Sequence, residues 1–112
     1  MAKIVDRLPV PSPPEYLSGG LRHRFEELAP KLTALGTLTE FEADLLAKYI
    51  ISENNYLQIS NQVQRALAAG DSEETARWIT AQDKLTKQIL TLGAELGLTT
   101  QSRKARGIII QN

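Results

Sequence analysis

TEFEADLLAKYIISENNYLQISNQVQRALAAGDSEETARWITAQDKLTKQILTLGAELGL, residues Thr39–Leu98, decides the fold. Leu45, Tyr49, Ser52, Tyr56, Ile59, Val63 and Ala66 step by alternating four and three residues, a helical seam of period 3.5. Beyond Gly70-Asp71-Ser72, Trp78, Gln82, Leu85, Ile89, Leu92 and Leu96 repeat the step. The spacing predicts helices over 40–69 and 73–96, roughly 45 Å and 36 Å long at about 1.5 Å per residue. Two facing seams joined by so short a link fold back as an antiparallel hairpin. Thr39-Glu40-Phe41-Glu42 reads as a capping box for the first helix. Gly70 stops that helix, Asp71 or Ser72 caps the next, and Gly97 closes it.

A second apolar set lies beside the seams: Phe41, Leu46, Ile50 and Leu57 on the first helix, Ile79 and Leu90 on the second. One partner helix cannot cover both stripes. Either residues 21–35 fold over the hairpin and complete a monomeric three-helix domain, or neighbouring copies cover the flank and build an oligomer. The pattern alone leaves both open.

Upstream, Leu21, Phe25, Leu28, Leu32 and Leu35 recur at helical spacing and predict a short helix over 18–35. Pro30 should kink it near Phe25–Glu26, because it removes one backbone hydrogen bond, and Gly36 should end it. Pro9, Pro11, Pro13 and Pro14 favour extended backbone, so residues 1–17 read as a flexible proline-rich arm. Such a segment suits a proline-binding domain, but a lead-in to the first helix is the simpler reading. Residues 99–112 form a basic tail carrying Arg103, Lys104 and Arg106 ahead of Ile108-Ile109-Ile110. The expected class is all-α: a short kinked N-terminal helix, then a long antiparallel hairpin spanning a domain of residues 18–98.

Thirteen basic and thirteen acidic residues cancel, so bulk charge points to no particular partner. Distribution says more. Residues 1–24 hold four basic and two acidic residues, net +2; residues 25–74 hold three and nine, net −6; residues 75–112 hold six and two, net +4. The chain is basic at both ends and acidic in the middle. It has no cysteine, which excludes disulfides and thiolate metal sites. No apolar leader or membrane-length run occurs, so a cytosolic location without membrane contact is expected.

The residues for catalysis do not converge. His23 is the only histidine and stands between Arg22 and Arg24, as a solvated residue would. Gly19-Gly20 lacks the Gly-Lys-Ser/Thr of a phosphate loop. Glu40, Glu42 and Asp44 fall where carboxylates favour a helix start. A protein that is not an enzyme, with no cofactor and no metal, is expected.

Pro13-Pro14-Glu15-Tyr16-Leu17 leads to Phe25-x-x-Leu28-Ala29-Pro30-x-Leu32-x-x-Leu35-Gly36-x-Leu38-Thr39, and Leu92-Gly93-Ala94-Glu95-Leu96-Gly97-Leu98-Thr99 leads to Ser102-Arg103. In this order, with a hairpin between, the two stretches resemble the small terminase subunit of tailed bacteriophages. The similarity covers roughly Pro13 to Arg106. Ser18-Gly19-Gly20 departs from the charged helix start usual in such proteins, Thr100 stands where proline is common, and the hairpin link lacks a proline.

The resemblance implies a ring of roughly eight to twelve subunits, closed by heterologous contacts between hairpins. It also implies recognition of double-stranded viral DNA for packaging in the host cytoplasm, and recruitment and regulation of the large terminase ATPase/nuclease. Phe41, Leu46, Ile50, Leu57, Ile79 and Leu90 would then be the oligomerisation residues. Arg103, Lys104 and Arg106 would be the first DNA contacts, Arg22, Arg24 and Lys31 the second, with Lys3 and Arg7 as a trailing arm. Ile108-Ile109-Ile110 would offer a contact for the large subunit. A helical-hairpin adaptor that oligomerises without binding DNA fits the same pattern.

Overall fold

A computed structural model describes residues 9–98. They form three helices and no strand: α1 Gly19–Ala34, α2 Ala43–Ala68 and α3 Ser72–Glu95. α2 and α3 pair along their length as the hairpin, and α1 lies against α2.

Each helix stops by the same device. After α2, the Gly70 N–H donates to the Leu67 carbonyl at 3.1 Å and the Asp71 N–H to the Ala66 carbonyl at 3.0 Å. Gly36 and Thr37 bond in the same way to Thr33 and Leu32, and Gly97 and Leu98 to Ala94 and Gly93. These paired bonds satisfy carbonyls that the helix end leaves free. They require a left-handed residue, and Gly70 supplies it at φ 69°.

Asp71 closes one helix and opens the next. Its N–H ends α2, while its carboxylate accepts from the Glu74 N–H at 3.0 Å at the start of α3. Asp71→Ala is therefore expected to lower stability by about 1 kcal/mol, within the usual range for lost N-caps, as read by urea denaturation. Asp71→Asn, which keeps the acceptor, should lose less.

The start of α2 corrects the expected capping box. The Glu42 carboxylate does accept from the Thr39 N–H at 2.9 Å. The Thr39 hydroxyl, however, faces the Phe41 N–H at 3.4 Å and not that of Glu42, whose N–H closes a turn onto the Thr39 carbonyl. Residues 39–42 thus form a separate turn, and the helix begins at Ala43 rather than Glu40. Phe41 projects from that turn and is 88% exposed.

The main core lies at the open end of the hairpin. Leu17, Phe25, Ala29, Leu32 and Leu38 meet Leu46, Ala47 and Ile50 of α2 and Leu96, just past the end of α3. Leu17, assigned to the flexible arm by the sequence, is only 2% exposed, so packing begins before Ser18. The chain enters α1 through a turn (Leu17 N–H to Pro14 carbonyl, 3.0 Å) that aims this leucine inward. α1 runs through Pro30 as one helix.

Toward the tip the hairpin has only its own seam to bury. Val63, Ala66 and Ser52 are buried, and Gln82 Nε2 donates to Ser60 Oγ at 2.9 Å across it. Gly93 faces Tyr49 across the hairpin, where an added Cβ would meet the ring at 3.6 Å, an ordinary van der Waals contact.

Candidate functional site

The second apolar stripe is split by the fold. Leu46 and Ile50 are 0% and 1% exposed, covered within the chain by α1 and its flanking turns. This corrects their assignment to the oligomer flank: they satisfy the alternative in which residues 21–35 fold over the hairpin. The cover is short. Leu57 follows Ile50 by two turns on the same face of α2, beyond the reach of α1, and is 63% exposed. Leu90 on α3 is 62% exposed.

These two side chains line a groove of about 530 Å³ with Leu21, Ile50, Tyr56 and Ile89. Arg24 and Glu53 stand in its wall, 3.9 Å apart. Ile79 lies elsewhere, in a shallower hollow at the hairpin tip beside Leu67, which is 55% exposed. Phe41 stands apart from both, in the turn before α2. Five of these apolar side chains, from three places, therefore face outward. Among the described residues, nothing covers them.

The basic residues of α1 do not form one patch. Arg22 and Lys31 are nine residues apart, so at about 100° per residue they leave opposite sides of the helix. Arg24 shares the side of Lys31, but its guanidinium lies 3.9 Å from both Glu27 and Glu53. Those carboxylates compete with any phosphate. His23 Nε2 sits 3.0 Å from the same Glu27, on the exposed surface. Arg103, Lys104 and Arg106 lie outside the described residues, as do Lys3, Arg7 and Ile108-Ile109-Ile110.

One tether escaped the sequence reading. The Tyr16 hydroxyl donates to Asp44 Oδ1 at 2.7 Å and pins the entry of α1 to the first turn of α2. Nothing in the spacing of residues 28 apart signals such a pair. The hydrogen bond to Asp44 raises the Tyr16 pKa above the usual tyrosine value of 10.0. Burial, followed by the charge of Glu53, raises that of Tyr49. Both phenols hold their protons more tightly when folded, so their contribution is fully present below the unfolded value and lost as pH rises through the raised ones. Melting temperature should accordingly fall above pH ~10, and less steeply in Tyr16→Phe. An unchanged slope would remove Tyr16 from that role.

Among the described residues, no group of three or more His, Asp or Glu side chains could hold a metal ion. No helix there is long and apolar enough to cross a membrane. The described residues form an all-helical domain: a short helix lying on a long hairpin, with an apolar groove and several exposed aromatic and aliphatic side chains. A family model described as phage terminase, small subunit, matches residues 22–109, and the chain belongs to that family. Its general role is thus in phage DNA packaging. The chain matches none of the curated proteins or solved structures with which it was compared.

Proposed function

We propose that the chain is the oligomeric, non-catalytic DNA-recognition subunit of a viral packaging motor, acting in the host cytoplasm. In this reading it binds double-stranded viral DNA and recruits and regulates the large terminase ATPase/nuclease. Family membership over residues 22–109 is the observation that carries this reading. The exposed Phe41, Leu57, Ile79 and Leu90 support assembly, because apolar side chains left uncovered in one chain gain by burial against another. A ring of roughly eight to twelve copies multiplies contacts that are weak singly.

DNA contact is assigned first to Arg103, Lys104 and Arg106, then to Arg22, Lys31 and Arg24. Arg24 ranks last because two carboxylates already face it. The Ile108-Ile109-Ile110 triplet is the proposed large-subunit contact. Electrophoretic shift of duplex DNA at low salt tests the reading. The parent protein should shift the duplex, and the variant carrying R103E, K104E and R106E should not, while keeping its native mass.

The scatter of the α1 cations around the helix favours a second reading, a hairpin adaptor that assembles without DNA. An intact oligomer that shifts no duplex at any concentration would select it.

A further inference from the structure

We propose that the flank of the hairpin turned away from α1 lies along the DNA backbone, with Arg65 and Lys84 on phosphates. The inference rests on the DNA-recognition reading above and adds contacts to those of the tail, too few to hold a duplex by themselves. Ile50 and Leu57 on α2, and Thr86 and Leu90 on α3, line the groove beside Leu21 of α1. Lys48 precedes Ile50 by two residues and Lys84 precedes Thr86 by two, so at about 100° per residue each leaves its helix on the far side. Asn55 and Gln62 follow Lys48 at steps of seven, and Arg77 precedes Lys84 by seven, which keeps them on that side. Arg65, three residues past Gln62, adjoins them.

The hairpin register brings the cations together. Gln82 bonds Ser60 and Gly93 faces Tyr49, so positions on the two helices pair with one fixed offset. That offset sets Arg65 level with Arg77 near the tip, and Lys84 follows seven residues, about 10 Å, along α3. Arg65 and Lys84 are exposed, and neither has a carboxylate within 4.0 Å among the described residues. Arg77 shares its charge with Glu74 at 3.1 Å. The other carboxylates of the mid-hairpin point toward α1. Glu53 faces Arg24 at 3.9 Å, and Asp83 precedes Thr86 by three residues and Leu90 by seven on the groove side. Asp44 and Glu95 stand at the open end beside Lys48, which therefore contributes less.

The apolar side chains take the opposite flank. Leu57 and Leu90 line the groove, while Leu67 and Ile79 line the hollow at the tip, Ile79 seven residues before Thr86 on the same face. These four are the exposed large apolar side chains of α2 and α3. The far flank offers instead the amides of Asn55, Gln62 and Gln88 between its cations. Interfaces between proteins centre on aliphatic and aromatic anchors, which this flank lacks, whereas a phosphate backbone takes cations and side-chain amides. Each copy supplies only a few such groups, so the track becomes effective when several copies present it together.

The salt dependence of duplex DNA binding by the full chain, read by fluorescence anisotropy alongside native mass, tests this. Lys84→Gln should lower the slope of log affinity against log salt by about 1 or more, and adding Arg65→Gln by about 2 or more in all, since each lost phosphate contact removes about 0.9. Lys87→Gln removes the same charge three residues away, one turn past Asp83, and should leave the slope unchanged. All three positions are exposed, so helical circular dichroism and native mass should hold. A slope that survives Arg65→Gln with Lys84→Gln would overturn the flank while leaving DNA binding in place. So would a slope that Lys87→Gln lowers as much as Lys84→Gln does, because bulk charge would then be the cause. A fall in native mass would also overturn it and make the flank a contact between copies. A parent that binds no duplex would remove the DNA reading beneath, and the flank with it.

Discussion

Phe25→Ala should cost about 3–5 kcal/mol of folding stability, the usual range for a large aromatic truncated in a core. Phe25 is 0% exposed and belongs to the one cluster that joins all three helices. Its neighbours there include Leu17 before α1, Leu46 and Ile50 on α2, and Leu96 at the end of α3. No other aromatic residue is fully buried among the described residues. A domain of this size holds only about 5–15 kcal/mol in total, so the loss would leave α1 poorly held and expose Leu46 and Ile50. Leu57→Ala, at a 63% exposed site, is the control and should move stability by about 0.5 kcal/mol or less if measured in the single-chain state. Urea denaturation followed by circular dichroism reads both. A Phe25→Ala cost under about 1 kcal/mol would mean that α1 is not held on the hairpin by this contact.

The second large effect is on DNA affinity. If the assembled subunits together neutralise about 6–10 phosphates, affinity should fall by roughly 10³–10⁵ between 50 and 200 mM salt, because each contact releases condensed counterion. The slope of log affinity against log salt counts those contacts. Charge reversal of Arg22 or Lys31 should reduce the slope slightly, since they leave opposite sides of α1 and one backbone track cannot meet both. Reversal of Arg103, Lys104 and Arg106 together should flatten it. A slope near zero, measured by fluorescence anisotropy on a labelled duplex, would take phosphate contact out of the mechanism.

The hairpin was legible because its signals are local. A 3.5-residue repeat needs only a partner of the same period, and Gly36, Gly70 and Gly97 each stand where a left-handed stop is needed. The limits of α2 were less legible. Thr39 and Glu42 have the capping-box spacing, yet only the glutamate half forms, because the Glu42 N–H is taken by the Thr39 carbonyl. The fate of the second stripe is a tertiary matter. Leu46, Ile50 and Leu57 have the same period and polarity, and it is the packing of α1, Leu17, Leu38 and Leu96 around the first two that buries them and leaves the third exposed.

Leu17 shows the same limit from the other side. Four prolines nearby say "extended", which is compatible with a loose arm or with a strap pressed into the core. The interface residues were therefore half readable: which side chains are apolar could be seen, but not which of them the chain covers itself. For the α1 cations, sequence shows charge but neither the half-turn between Arg22 and Lys31 nor the Glu53 that faces Arg24 from α2.

In the proposed assembly, further copies of the chain cover Phe41, Leu57, Ile79 and Leu90, which the described residues of one copy leave exposed. Light scattering on the purified full chain, across a concentration series at moderate salt, measures this directly. The expected result is a stable species of several times 12.4 kDa. A folded chain that remains at 12.4 kDa throughout the series would contradict it.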